Sequence, residues 1–152
     1  MELKKGIAYY KIDSMEIAIK QFRKSMSKSG HEFPTALGHI GWTLVELERY
    51  DEAIVEFKKA AKQNSVYILD IAQVYELRND FVNAQKYYEL RLGVLEKDND
   101  PYYKNEIEEL KIKIEKLDRK RIYRVLYAIK SQFFKLKNFL ECSSDWLFVV
   151  ND

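Results

Sequence analysis

A pattern of small and bulky side chains occurs three times before residue 97, and it constrains the fold more than any other feature. Gly6, Tyr9, Met15, Ala18 and Phe22 return at identical spacing as Gly41, Leu44, Tyr50, Ala53 and Phe57, and again as Ala72, Tyr75, Phe81, Ala84 and Tyr88. The alignment alanines Ala18, Ala53 and Ala84 lie 35 and 31 residues apart. A period in this range belongs to stacked helical hairpins, none of which buries its apolar face alone. The expected contact is small against small: Gly6, Gly41 or Ala72 on a first helix faces Ala18, Ala53 or Ala84 on the second, with bulky residues around it. Helix punctuation agrees. Asp13 and Glu16 resemble a capping box, Gly30 suits a helix end, and Pro34 suits a first helical turn.

Composition supports an all-α fold. Apolar residues make up 47% and charged residues 33%, with five Gly and two Pro, too apolar for disorder and too poor in turn residues for a sandwich or barrel. The 152 residues fit one domain. Cys142 is the single cysteine, so no internal disulfide forms. The N-terminus lacks the pattern of a secretory leader, and no run reaches the roughly 18 apolar residues of a membrane span. The expectation is a soluble, cytoplasmic protein.

On these residues the chain resembles the tetratricopeptide-repeat family of stacked helix-turn-helix units. The middle copy carries Leu37, Ile40, Gly41, Leu44, Tyr50, Ala53, Phe57 and Ala60 at the signature positions, with Leu37 in place of the tryptophan and Ser65 in place of the closing proline. Ser25 and Arg91 stand where Ala60 stands in the middle copy, and the bulk of Arg91 predicts a looser join to the next helix. The resemblance implies a superhelical stack of about three hairpins over residues 1–97, with repeats at about 1–30, 34–64 and 65–97, followed by C-terminal capping helices. It also implies a concave groove lined by first helices, in which peptides lie. The corresponding positions are Leu3, Ile7 and Tyr10, then Gly38, Trp42, Val45 and Glu46, then Leu69, Asp70, Gln73 and Glu76. Chaperone-binding members of the family clamp a terminal carboxylate with lysine and asparagine here. Apolar and acidic residues in those places argue against such a clamp.

Residues 98–140 are expected to form a helical cap opening at Pro101. Tyr103, Ile107, Leu110, Ile114 and Leu117 make one apolar stripe, with Glu109 and Lys113 supporting each other on the outer face. Ile122, Leu126, Ile129, Phe133, Leu136 and Leu140 make a second, offset by five residues and thus turned by about 100°. Either the helix breaks near Asp118 or one long helix changes partners there. Residues 119–140 hold Arg119, Lys120, Arg121, Arg124, Lys130, Lys135 and Lys137, no acid, and Tyr123, Tyr127, Phe133, Phe134 and Phe139. Three readings stay open for this segment: a packing helix with a solvated basic face, a contact surface for an acidic protein or a second copy of the chain, and contact with phosphate or an anionic membrane. No nucleic-acid-binding motif is present. The apolar tail 141–152, rich in strand formers from Trp146 to Val150, is expected to fold back onto an apolar patch.

Chemistry is sparse. His31 and His39 have no partners at metal-ligand spacing, Cys142 has no histidine near it in sequence, and there is no phosphate-cradling loop or nucleophile elbow. The sequence therefore predicts no enzyme, no metal and no cofactor. It predicts a protein-binding scaffold or adaptor that takes a peptide or helix in a groove of Ile7, Tyr10, Trp42, Val45, Glu46, Leu69, Gln73 and Glu76. The fitting ligand carries an apolar anchor and a basic residue, a description that helix 119–140 of the chain itself meets. Two alternatives remain: an oligomerising repeat unit that binds through the basic helix, and a regulatory repeat segment of a larger enzyme.

Overall fold

The computed structural model describes residues 14–149, and side chains as far as residue 136. They form six α-helices and one 3-10 turn: α1 Met15–Ser29, α2 Pro34–Glu46, α3 Tyr50–Ala61, α4 Tyr67–Leu77, α5 Phe81–Asp98, the turn Pro101–Tyr103, and α6 Lys104–Val149. Gly6, Leu3, Ile7, Tyr10 and Asp13 lie outside the described residues. Ser14 is the N-cap of α1 and makes no side-chain cap bond.

Local chemistry sets the helix ends. Gly30 takes φ 74° and donates its N–H to Met26, a left-handed end to α1 that costs glycine nothing. Pro34 opens α2 after an extended Phe33, the conformation that a following proline imposes. The repeat is legible in the turns as well. Arg49 N–H donates to Leu44 O at 2.8 Å and Asp80 N–H to Tyr75 O at 2.9 Å, while Glu48 and Asn79 both adopt φ 58°. These matched turns fold α2 onto α3 and α4 onto α5.

Each helix packs on its neighbour in sequence, giving a stack of hairpins. One core cluster joins α1 to α4 around Phe22, Leu37, Ile40, Leu44, Phe57 and Ile71. A second joins α4, α5 and α6 around Ala72, Ala84, Tyr88, Leu95, Leu110 and Leu117. The close approach inside the middle hairpin differs from the small-on-small expectation. A Cβ on Gly41 would lie 2.6 Å from the ring of Phe57, so glycine makes room for an aromatic ring, and Ala53 is buried in the same core cluster.

Arg91 corrects a second expectation. It is buried, donating through Nε to Glu106 Oε1 at 2.8 Å and through Nη1 to Ser65 Oγ at 2.9 Å. Its bulk fastens α5 to α6 because Glu106 meets the charge and Ser65, at the closing-proline position, supplies an acceptor.

The 3-10 turn at Pro101, capped by Asp100 Oδ1 accepting from Tyr102 N–H, runs into α6 without a break at Asp118. One long helix therefore changes surroundings, as the offset between its stripes allows. Residues 141–149 continue α6 as helix instead of turning back. Extending a helix already nucleated adds a hydrogen bond for each residue fixed, which overrides a weak strand preference. Among the described residues no helix is long and apolar enough to cross a membrane.

Candidate functional site

One side of the stack presents α2 and α4, with the first half of α6 as the next wall. On α2, the Trp42 ring meets the edge of Phe57 at 5.5 Å and 67° between planes, and its Nε1 donates to Asp70 Oδ1 on α4 at 2.9 Å. The indole is thus held between the core and the neighbouring hairpin. Burial pushes the Asp70 carboxyl above its ordinary range, and the indole N–H acts against that shift.

Glu76, one turn of α4 further along than Gln73, is the electrostatic centre. Its Oε2 accepts from the Tyr88 hydroxyl at 3.2 Å and lies 2.9 Å from Lys113 Nζ, and its Oε1 lies 3.7 Å from Lys120 Nζ. Burial and then the adjacent Glu76 carboxylate push the Tyr88 phenol well above its ordinary range, so it stays a donor. Lys113 also sits over the Tyr88 ring and Lys120 over the Phe81 ring. Lys113 therefore reaches Glu76 in the cleft and does not support Glu109 on an outer face. Sequence could not place it there, because the pairing depends on how α6 lies against α4.

Between these walls opens a cleft of about 640 Å³ lined by Trp42, Gln73, Glu76, Leu77, Asn79, Phe81, Lys113 and Lys120. The structure thus brings together three of the expected groove residues, Trp42, Gln73 and Glu76. Val45 is buried in the core, Glu46 is exposed outside the cleft lining, and Leu69 packs on the second core cluster. Gly38 is covered, since a Cβ there would lie 2.5 Å from the Tyr67 ring. Ile7 and Tyr10 lie outside the described residues. Phe81, Leu77, Asn79 and Lys113 are not among the expected groove residues, and Lys120, expected on a basic surface, lines the cleft as well. Phe81 is a repeat-signature position, so the motif itself concealed its second role.

The basic residues of α6 divide in the same way. Arg119 pairs with Glu115 along its own helix. Lys120 reaches Glu76, Arg121 Nη1 donates to Gln85 Oε1 at 2.6 Å, and Arg124 Nη1 donates to Asn79 O at 3.0 Å while lying over Phe81. These three fasten α6 to the third hairpin. Residues 122–136, in contrast, are all exposed. The basic helix therefore runs past its own groove and does not fill it.

His39 stacks on Phe22 at 5.1 Å, and burial lowers its pKa. This is a packing role between α1 and α2.

Residues 34–67 match the sequence model of the tetratricopeptide repeat. No curated protein matches the sequence. Among solved structures, the chain is similar to SycD, the type III secretion translocator chaperone of Yersinia enterocolitica, at 15% identity over 79% of this chain and 83% of that one, with a TM-score of 0.62. PcrH of Pseudomonas aeruginosa, in complex with the chaperone-binding region of PopD, matches at 12% identity over 79% of this chain and 90% of that one, with a TM-score of 0.63. A domain of yeast Sti1 in complex with an Hsp70 segment matches at 16% identity over 76% and 98%, with a TM-score of 0.58. At these identities the likeness is one of fold.

Proposed function

We propose that this chain, which carries a tetratricopeptide repeat at residues 34–67 with α1 packed before it and the α4–α5 hairpin after it, is a non-enzymatic adaptor that holds a segment of another polypeptide in the cleft between α2, α4 and α6. The observation that carries this reading is the cleft itself, open over about 640 Å³ and floored by an indole already fixed in place by Phe57 and Asp70. A fixed aromatic surface loses little entropy when a ligand lands on it. Similar folds have been solved with polypeptides bound, a translocator peptide on SycD and an Hsp70 segment on Sti1, which supports the ligand class.

The chemistry of the cleft refines the ligand expected from sequence. Glu76 is already engaged by Lys113 and Lys120, so a basic residue on the ligand would have to displace a lysine that belongs to the chain. The apolar surface of Trp42 and Leu77 remains open, beside the amides of Gln73 and Asn79, while the Phe81 ring already carries Lys120 and Arg124. The ligand that fits is an extended segment with one apolar anchor, its main-chain groups meeting the two amides. A cytoplasmic location suits this role and a lone thiol.

The test is a selection of peptides from a displayed library on the purified protein, followed by affinity measurement on Gln73→Trp. Gln73 is exposed, so the substitution fills the cleft without entering the core. Binding of the selected peptides is expected to fall at least about tenfold, with the circular dichroism of the protein unchanged. Peptides that bind Gln73→Trp as tightly as the natural protein would place the binding surface elsewhere.

A further inference from the structure

The second apolar stripe of α6 is left open by the stack, and its spacing and charge narrow what can cover it. Ile122, Leu126, Ile129, Phe133 and Leu136 follow one another at alternating steps of four and three, and they are 58%, 56%, 45%, 69% and 58% exposed. That is the seam spacing of a helix that pairs with another helix. The first stripe is occupied by the stack, since Leu110 and Leu117 are buried against α5 and Tyr103, Ile107 and Ile114 pack around them. The offset turns the second stripe by about 100° from that contact, and Lys120, Arg121 and Arg124 hold the helix in this orientation against the third hairpin. The seam thus faces away from its own molecule.

Charge selects the occupant. Residues 119–136 carry Arg119, Lys120, Arg121, Arg124, Lys130 and Lys135 and no acid. Arg119, Lys120 and Arg121 are already met by Glu115, Glu76 and Asp118, but Arg124, Lys130 and Lys135 lie along the open half, and a second copy laid along residues 122–136 would bring the same cations against them with no acid in either segment. A lipid surface fits less well for a geometric reason. At about 100° per residue, Lys130 falls between the seam and the edge formed by Tyr123, Tyr127 and Phe134, so a charge divides the apolar surface that a membrane-lying helix would bury whole. A narrow seam with Lys130 at its edge and no acid along it matches a helix that carries its own apolar seam with Glu or Asp beside it.

We propose that residues 122–136 of α6 are a docking surface for an acidic amphipathic helix of another protein, which pairs along the seam. This surface lies apart from the cleft, so the chain holds two polypeptide sites, and neither depends on the other.

The experiment uses the full chain and a labelled synthetic peptide of about four heptads, with leucine at the seam positions and glutamate beside them. A matched peptide with lysine beside the seam is the control. The acidic peptide is expected to bind, to weaken as salt rises, and to lose at least about tenfold in affinity on the double variant Leu126→Ser, Phe133→Ser. That variant keeps every charge, and both side chains are more than half exposed, so the stack is undisturbed. Any of four results would overturn the proposal. The acidic peptide fails to bind, or binds the double variant equally well. Sedimentation shows a dimer of the natural chain that the double variant abolishes, making a second copy the occupant. Vesicles of phosphatidylserine and phosphatidylcholine bind through the stripe while the peptide does not, making the occupant a lipid surface.

Discussion

Arg91 shows how a single residue reverses its meaning between sequence and structure. In the repeat pattern it replaces a small residue and reads as a defect, yet it is buried with both a carboxylate and a hydroxyl in reach. Removing one partner of a buried pair costs more than the pair contributes, because a charge is left without an answer and a cavity opens. Arg91→Ala is therefore expected to lower the free energy of unfolding by about 3 kcal/mol, measured by urea denaturation. Arg91→Met, which restores most of the volume, should lose less. Equal losses in the two variants would assign the whole effect to the ion pair. Trp42 is a smaller case of the same kind. Sequence marks it as an aromatic anchor facing outward, and the structure shows its N–H already committed to Asp70.

Among elements, the α2–α3 hairpin is the unit that sequence describes best. Its start at Pro34, its turn and its close approach all lie in local residue choice. Only the partner in that approach is decided by packing: the ring of Phe57, fully buried, occupies the space that glycine leaves at position 41. Gly41→Ala gains about 1 kcal/mol in helix propensity and loses more to overpacking. A net destabilisation of about 1–2 kcal/mol is expected in the same denaturation measurement. A stabilised Gly41→Ala would mean that Phe57 can move aside. α6 is the opposite case. Its two stripes are plain in sequence, and nothing local says that the backbone would continue through Asp118 to Val149.

On the scale of the whole molecule, contacts between successive elements make stability a property of neighbours, highest where a helix has one on each side. α6 passes from a covered half to an uncovered half. Hydrogen exchange is therefore expected to show protected amides over roughly residues 104–121 and fast exchange beyond residue 122, since a helix without a partner is marginal in water. Uniform protection along α6 would show that the projecting half is covered in solution. What the sequence determined by itself is the repeat architecture, because it rests on local quantities: helical period, small residues at fixed spacing, caps and turns. The stripe and charge of the C-terminal helix were legible for the same reason. What only the tertiary structure decided is which side chains share a space. Lys113 and Lys120 meet Glu76, and Phe81 joins Trp42, across distances in sequence that no periodicity spans. Their meeting depends on the angle at which α6 lies on the third hairpin, and that angle comes from the packing of Leu110, Leu117 and Arg91 together.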